Sequence, residues 1–313
     1  MSAEKEIKNL AASVRARLLN IAKQHHIDFN RILLMYFQQC FLNRLVHSKY
    51  KKQFILKGGL LFYGLDSLIA RPTKDIDLLG RGILNQPDKI EKLIREILTI
   101  KLPDGVTFLT QGLRSEVIAK RKSYSGVRIF VPAELSKAKQ NLQIDVGFGD
   151  TIVPGPVEFA YPTLLSDETI TLFAYSWYSV IAEKMEAIVS LSELSSRMKD
   201  YYDIYYLQNR FNLDGARLRM AIVETFERRG TDISESDYIF SENFAGSKDK
   251  QKQWAAFLRK NNLKAPEKFS LIIDRLKTFL MPVATSIIQQ EPFNRTWNFK
   301  KKQWDEINRK DLP

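Results

Sequence analysis

The chain has 313 residues, of which 44% are hydrophobic, and this length and composition are ordinary for a globular protein of about two domains. Its 48 Lys and Arg against 36 Asp and Glu leave a net charge of +12, which favours a polyanionic partner such as nucleic acid, a nucleotide or an anionic membrane surface. No apolar run reaches membrane-spanning length and the first residues lack the apolar core of a signal peptide, so we expect a cytoplasmic protein with no membrane partner.

Hydrophobic periodicity predicts two helices at the start of the chain, at 5–24 and at 31–45. The first has apolar residues three or four apart and so one buried face, whereas the second is apolar over much of its circumference. Asp28 is placed to cap the second helix. Cys40, the single cysteine, lies within that helix as a packed residue, and its isolation excludes an intramolecular disulfide and a Cys-rich zinc site.

Strand patterns dominate the next hundred residues. A short strand at 54–56 precedes Gly58 and Gly59, and two adjacent glycines ahead of a helix can bring backbone N–H groups close to an anion. Acidic and apolar residues alternate over 75–79, as in a strand with one exposed face. After these come a predicted helix at 86–100, antiparallel strands within 105–131 and a further strand at 141–149.

The run Val-Pro-Gly-Pro-Val at 153–157 breaks regular structure, and we take it as the domain boundary. Beyond it the periodicity is helical over the segments 176–195, 198–208, 214–229, 250–262 and 267–280. We therefore predict an α/β (α+β) protein. Leading helices and a mixed-sheet domain occupy 1–152, and a mostly helical domain occupies 153–313.

Acidic residues form the constellation that points to chemistry. Asp75 and Asp77 are two residues apart, so on a strand both carboxylates project from the same face and repel each other unless a divalent cation is bound. Asp145 lies in an apolar strand context and would stand beside that pair if the two strands are neighbours. Three such carboxylates predict a two-metal Mg²⁺ site for phosphoryl transfer. An isolated Asp-x-Asp is common by chance, so the prediction also depends on Gly58 and Gly59 upstream.

These residues occur in an order that resembles the AbiEii/AbiGii toxin family of the nucleotidyltransferase superfamily. The first motif of the family is similar to Lys57, Gly58 and Gly59 followed by Arg71, Thr73, Asp75 and Asp77. The second half of the resemblance is an Ala-Glu-Lys segment ending at Lys184 and an Arg-x-Lys-Asp-x-x-Asp segment with Arg197, Asp200 and Asp203. Taken together and in order, the motifs are specific to the family, whereas each alone is not.

The resemblance implies a metal-dependent nucleotidyltransferase, in which an NTP bound with Mg²⁺ donates its NMP to an acceptor. It implies metal ligands at Asp75, Asp77 and Asp145, which also act in catalysis with Lys184 and Asp200. It implies nucleotide binding by Lys57, Gly58, Gly59, Arg71, Thr73, Lys184, Arg197 and Asp203. It further implies the toxin of an abortive-infection toxin–antitoxin pair, with a cognate antitoxin as partner and the 3′ end of a tRNA as acceptor.

Each residue also has a purely structural interpretation. The glycine pair could be a tight packing turn, and a helical lysine such as Lys184 is usually solvated; we expect its ammonium on phosphate and not in a core ion pair. Asp200 and Asp203 could serve an intrahelical ion pair with Lys199. The family match does not settle which of these two acids acts, nor whether Arg71 or Lys74 faces the nucleotide.

Two other functional classes stay open. One is a nucleic-acid-binding protein on a degenerate nucleotidyltransferase scaffold, although a mere binder has no need to keep mutually repelling carboxylates. The other is an NMP transferase that modifies a protein or a small molecule, against which the excess of basic charge argues mildly.

Basic residues elsewhere give weaker signals. A phosphate track for the acceptor or a solvated strand face could be formed by Arg114, Lys120, Arg121, Lys122, Arg128, Lys137 and Lys139. Near the C-terminus, aromatic rings and lysines mix as in single-strand nucleic-acid binders, at Trp297, Phe299, Lys300, Lys301, Lys302 and Trp304. For this segment a docked tail with a basic exterior is the favoured interpretation.

Overall fold

We use a computed structural model, in which residues 9–66, 68, 71–119 and 125–306 are described. The chain forms two compact units, the first from 1–149 with 157–174 and the second from 150–156 with 175–313. Within the described ranges, no helix is both long enough and apolar enough to cross a membrane.

A mixed β-sheet is the framework of the first unit. Its strands are β1 (Phe54–Lys57), β2 (Asp75–Gly80), β3 (Val106–Phe108), β4 (Arg114–Ala119), β5 (Ser125–Leu135), β6 (Ala138–Phe148), β7 (Val157–Pro162) and β8 (Thr169–Ala174). Their order is β3-β5-β6-β2-β1-β8-β7, and β4 pairs with β5. β2 runs parallel to β6 and β1 runs parallel to β8, whereas the other neighbours are antiparallel. The predicted mixed sheet is confirmed.

Helices of the first unit pack on this sheet. They are α1 (Leu10–Gln24), α2 (Phe29–His47), α3 (Leu60–Asp66) and α4 (Pro87–Leu98). The side chain of Asp28 accepts a hydrogen bond from the Arg31 N–H, so the predicted cap of α2 is confirmed. α2 contacts β6 and β8, and α4 contacts β4 and β5. Buried α2 residues include Cys40.

The two faces of the central strands differ in polarity. Along β2 and β6, the residues on one face are buried and apolar, namely Ile76, Leu78, Leu142, Ile144 and Val146. Those on the other face, Asp75, Asp77, Gln143 and Asp145, are half-buried. Side chains of a strand alternate between its two faces. Burial of the apolar residues on one face therefore determines which residues lie on the other face. We call the second face the polar face.

The second unit is mostly helical, as predicted. Its helices are α5 (Trp177–Leu191), α6 (Met198–Gln208), α7 (Gly215–Arg229), α8 (Ser236–Ile239), α9 (Glu242–Ala245), α10 (Lys248–Asn261) and α11 (Phe269–Ile288). A small sheet accompanies them, in the order β11 (Gln303–Glu306), β10 (Arg295–Asn298) and β9 (Leu213–Asp214). Helix α7 is capped after Arg229 by Gly230, which has a left-handed φ of 62°.

The structure differs from the sequence prediction just after the expected boundary. Helical structure was expected beyond residue 153, yet β7 and β8 at 157–174 belong to the sheet of the first unit. Each of these strands has only six residues, and β8 pairs with β1, which lies about a hundred residues earlier in the chain. Such long-range pairing leaves little local signal.

Candidate active site

The glycine pair lies against the residues of the Asp-x-Asp motif. Gly58 has a φ of 72°, and a Cβ atom built on it would be 2.0 Å from Oδ2 of Asp77. A Cβ atom built on Gly59 would be 2.6 Å from Oγ1 of Thr73. Only glycine fits at either position without displacing a neighbour, and at Gly58 the left-handed backbone adds a second reason. The structure thus brings four predicted site residues together.

A row of charged residues crosses the polar face. Lys57 of β1 is directly opposite Asp77 of β2, and Asp77 is directly opposite Asp145 of β6. The row continues through Arg128 of β5 to Glu116 of β4. Directly opposed residues share a face of the sheet, and opposed like charges are destabilising. Asp77 and Asp145 are the one pair of like charges next to each other in this row, so the sheet concentrates negative charge there.

Arg128 binds the third predicted acid. Its Nε and Nη2 atoms donate to the two carboxylate oxygens of Asp145, each at 2.9 Å, and its Nη1 atom lies 3.6 Å from Glu116. The hydrogen bonds to Asp145 raise the pKa of Arg128 above its ordinary value despite partial burial, and the charges of Asp145, Asp75 and Glu116 add to the rise. Arg128 is thus paired with carboxylates, which favours neither of the two sequence interpretations of this residue, a phosphate track or a solvated strand face.

The donor set fits a divalent cation of the magnesium type. In the described part of the chain, no group of three or more His, Cys, Asp or Glu side chains is arranged to hold a metal ion. The expected three-carboxylate ligand set is therefore not assembled, and Asp145 is bound to Arg128. Mg²⁺ commonly needs only one or two carboxylates together with substrate phosphates, and Asp75 and Asp77 on one face of β2 meet that requirement.

Two basic residues before the Asp-x-Asp motif have different surroundings. Arg71 is buried, and its guanidinium lies 5.5 Å from the centre of the Phe62 ring. Lys74 has an exposed side chain, while its backbone carbonyl accepts a hydrogen bond from Gln38. Lys57 at the end of β1 is also buried. Of the two candidates left open by the sequence, Arg71 is packed into the fold and Lys74 is not.

The second unit holds the other predicted residues in a network of ion pairs. Nζ of Lys184 lies 3.0 Å from Oδ1 of Asp200 and 2.5 Å from Oδ2 of Asp203. Arg197, the residue before α6, donates from Nε to Oδ2 of Asp200 at 2.6 Å. The Asp200 and Asp203 side chains are only 1% and 0% exposed. The expectation that Lys184 lies outside any core ion pair is wrong.

The pKa of Asp200 shows how the charges of this network balance the effect of burial. Burial alone would raise the pKa of its carboxyl group, but the charges of Lys184 and Arg197 and their hydrogen bonds hold that pKa below the ordinary value of 3.8. Asp200 therefore stays ionised despite complete burial. The predicted i to i+3 relation of Arg197 and Asp200 is a real contact, and Lys184 joins the predicted acids from another helix.

Sequence reasoning missed one further charged cluster in the second unit. Arg229 lies 2.6 Å from Glu186, 3.2 Å from Glu183 and 3.5 Å from Asp150. Burial alone would lower the pKa of Arg229, but these three carboxylates raise it. Glu183 belongs to the Ala-Glu-Lys segment next to Lys184, so the same short helical stretch supplies two separate networks.

Sequence reasoning also missed that Arg128 is the partner of Asp145, although the signal was present. The turn of the β5–β6 hairpin contains Ser136 and Lys137, and counting outward from it pairs Arg128 with Asp145. Lys139 pairs with Glu134 in the same hairpin. Of the remaining predicted basic residues, Lys120, Arg121 and Lys122 lie outside the described residues.

The two C-terminal tryptophans pack against the rest of the second unit. Trp297 is buried and donates from Nε1 to the Gln208 carbonyl at 2.6 Å. Trp304 donates from Nε1 to the Phe279 carbonyl at 2.9 Å and stacks on the Phe279 ring, with the ring centroids 5.6 Å apart. Neither ring is left to stack on a base, so the docked tail is confirmed and the single-strand binding surface is not. The lysines at 300–302 are exposed at the hairpin turn.

The fold and the polar face define a mixed-sheet protein whose concentrated carboxylates suit a cation bound together with an anionic ligand. The sequence profile of the family described as "Nucleotidyl transferase AbiEii toxin, Type IV TA system" matches residues 40–280. The match covers well over half of the chain, and the chain belongs to this family. It is a nucleotidyltransferase toxin of a type IV toxin–antitoxin system, a class that implies an NTP substrate and a cognate antitoxin.

Solved structures that resemble the chain include two from Helicobacter pylori. One is the crystal structure of a Helicobacter pylori protein described as a nucleotidyltransferase, which is 11% identical, with a TM-score of 0.46 over 85% of this chain and 100% of that one. The other is JHP933 from Helicobacter pylori, also 11% identical, with a TM-score of 0.44 over 83% of this chain and 93% of that one. No protein with a curated description matches the chain.

Proposed function

We propose that the protein transfers NMP from an Mg²⁺-bound NTP to the 3′ end of a tRNA and releases pyrophosphate. The observation that carries the proposal is the position of Asp77, which is opposed to Asp145 and packed against Gly58. Opposed carboxylates on a half-exposed face favour a bound cation, and the glycine at position 58 lets the Asp77 carboxylate lie directly against the backbone. Family membership gives the class of reaction.

The acids of the polar face have distinct roles in this proposal. Asp75 and Asp77 hold Mg²⁺, which when bound supplies positive charge to the triphosphate and to the departing pyrophosphate. The acceptor hydroxyl oxygen bonds to the α-phosphorus, and the bond from that phosphorus to the bridging oxygen of pyrophosphate breaks. Asp145, next to Asp77, completes the acidic set and helps to activate the hydroxyl by taking its proton.

Residues around the glycine pair bind the nucleotide in this proposal. Gly58 and Gly59 offer backbone N–H groups, and Thr73, which packs against Gly59, offers a hydroxyl. Lys57 and Arg71 add positive charge from buried positions beside the Asp-x-Asp strand. A buried cation stabilises phosphate more strongly than an exposed one, because water screens it less.

The family motifs also assign a function to the ion-pair network of the second unit. Lys184 is the lysine that we assign to the phosphates, held in place by Asp200 and Asp203, and Arg197 extends the network to an exposed position. Asp200 contacts both Lys184 and Arg197, which makes it the better candidate of the two acids for a role in the site. Asp203 contacts the Lys184 ammonium as well.

The choice of a tRNA acceptor rests on charge and on the family. A net charge of +12 favours a polyanion over a neutral small molecule or an ordinary protein surface. If RNA is the acceptor, its affinity should fall steeply with salt, because each neutralised phosphate releases condensed counterions. Replacing Lys120, Arg121 and Lys122 together should flatten the slope of log K against log salt by about two to three units and leave NTP binding unchanged.

A transfer assay tests the proposal. The protein is incubated with each NTP, labelled at the α-phosphate, together with Mg²⁺ and total RNA, and the RNA and protein fractions are separated. We expect label in tRNA, lost when periodate has oxidised the 3′ hydroxyl groups. Label in the protein fraction would instead mean that the acceptor is a protein and not tRNA. RNA binding without any transfer, with all four NTPs, would favour the degenerate scaffold.

A further inference from the structure

The geometry points to Arg128 as the resident counter-ion of Asp145, a positioning residue that must release this carboxylate when a divalent cation binds to the polar face. The inference rests on the proposed function, because it concerns how the same metal site is loaded. In this role, Arg128 controls how tightly the site binds the cation. This role is distinct from contact with the acceptor.

Asp145 has little remaining capacity for a metal in the observed state. Arg128 donates to both of its oxygens at 2.9 Å in a bidentate fork. The amide of Gln143 lies 3.2 and 3.3 Å from the same two oxygens. Carboxylate oxygens have about four lone-pair positions in total, and these donors take most of them. Asp145 can therefore become a metal ligand or accept a proton only after the guanidinium has moved.

The surroundings of Arg128 make such a movement feasible. The Arg128 side chain is 30% exposed and that of Asp145 is 17% exposed, so water can solvate both groups during an exchange. Arg128 also lies 3.6 Å from Glu116, which offers the guanidinium a second carboxylate on the same face. A divalent cation at Asp77 and Asp145 would neutralise the charge that Arg128 leaves behind.

Another arginine of the same unit shows what a fixed pair looks like. Arg44 also binds a carboxylate with two nitrogens, that of Asp104, but the two side chains are only 4% and 12% exposed. Arg44 further donates to the backbone carbonyls of Cys40 and Val106. The Arg44 guanidinium thus joins separate segments of the chain, whereas Arg128 donates hydrogen bonds to both oxygens of the predicted metal ligand Asp145.

Cation binding provides the test, with Mn²⁺ as the probe and paramagnetic resonance as the readout of free Mn²⁺. Arg128→Gln should bind Mn²⁺ about tenfold more tightly than the wild type, because a strong charge-assisted hydrogen bond no longer competes for Asp145. Arg95→Ala, which removes one positive charge from helix α4 of the same unit, is the matched control and should change the affinity less than about twofold.

A double variant separates direct competition from a general effect of charge. In the Asp145→Asn background, the change Arg128→Gln should no longer raise Mn²⁺ affinity, because the carboxylate for which the two cations compete is gone. An undiminished gain in that background would overturn the inference, as would Arg128→Gln binding no more tightly than the wild type. If Arg128→Gln does not fold, Arg128→Lys keeps the charge, loses the fork, and should show a smaller gain in the same direction.

Failure of this inference and failure of the proposed function give different results. If the wild type binds Mn²⁺ and Asp77→Ala does not, while Arg128→Gln behaves like the wild type, only the role of Arg128 is wrong. If neither the wild type nor Asp77→Ala binds Mn²⁺, with or without an NTP, the metal site itself is wrong and this inference falls with it.

Discussion

The polar face of the first unit and the Lys184 network of the second unit contain the same kinds of charged groups in opposite surroundings. On the polar face, Arg128 is 30% exposed and its partner Asp145 is 17% exposed. In the network, Asp200 and Asp203 are almost completely buried against Lys184. Exposed pairs contribute little to stability and exchange partners easily, whereas breaking a buried pair leaves an uncompensated charge.

This difference assigns different tasks to the two regions. The polar face can rearrange its carboxylates around an incoming cation at small cost in folding free energy. The Lys184 network has no such freedom, because removal of any one charge penalises the others. Substitutions on the polar face should therefore change activity more than stability, and those in the network should change stability as well as activity.

The largest effect is expected for Asp77→Ala. Loss of this carboxylate removes a proposed metal ligand and should reduce nucleotide transfer by roughly a thousandfold, equivalent to about 4 kcal/mol of transition-state stabilisation. The melting temperature should stay within a few degrees of the wild type, because the variant also relieves repulsion with Asp145. Asp75→Ala should have the same effects on transfer and on melting temperature. Asp167→Ala, at an exposed position of the same unit, is the control. Retained transfer with unchanged metal dependence would refute the assignment.

Lys184→Ala tests the buried ion-pair network of the second unit. It leaves Asp200 and Asp203 buried without their shared cation, so the free energy of unfolding should fall by about 3 to 5 kcal/mol. Urea denaturation at pH 7 measures this loss. Lys199→Ala, at an exposed position of α6, should change stability by less than about 1 kcal/mol.

The same Lys184 variant also tests the proposed contact with phosphate. Transfer is measured at a temperature where the variant is still folded, and we expect a strong decrease per folded molecule. Normal transfer by the folded fraction would mean that Lys184 serves only the stability of the second unit.

Gly58→Ala should combine a moderate loss of stability with loss of function. The left-handed backbone at residue 58 costs about 1 to 2 kcal/mol with an alanine, and the new methyl group would push the Asp77 carboxylate aside. Gly82→Ala is a matched control, since Gly82 has a φ of 64° but no atom within 4 Å of the added Cβ. Both variants should lose similar backbone stability, and only Gly58→Ala should lose more than about tenfold in transfer rate. Equal activity of the two would separate Gly58 from the site.

The smallest effect concerns pH. The pKa of Asp200 is held below its ordinary value of 3.8, so the stabilisation that it provides is present above that pH and is lost as the pH falls through lower values. The difference in unfolding free energy between the wild type and Asp200→Asn should therefore narrow between pH 7 and pH 3. A pKa difference of one unit corresponds to about 1.4 kcal/mol, and because only part of the difference is lost by pH 3, we expect the narrowing to be about 1 kcal/mol. A constant difference would mean that Asp200 is not stabilised as an anion.

Much of the architecture followed from local patterns. The helices α1, α2, α5, α6, α7, α10 and α11 were predicted by apolar periodicity. Most of their ends agree with the structure to within a few residues, but α11 continues past the predicted end at 280 to Ile288. β7 and β8 were not predicted, because short strands are stabilised by partners elsewhere in the chain. The small sheet of β9, β10 and β11 was missed for the same reason, although docking of its tryptophans was expected.

The sequence by itself determined that Asp75 and Asp77 share one face of a strand, because side chains alternate with a period of two whatever the rest of the fold does. It also determined the family, through motifs that occur in order along the chain. Only the tertiary structure decided which charges meet. The sequence indicated the pairing of Arg128 with Asp145, because counting outward from a turn at Ser136 and Lys137 gives that register, but the folded hairpin was needed to fix the turn. Lys184 binds Asp200 and Asp203 because α5 packs on α6, and residue types alone carry the sign of a charge but not its partner.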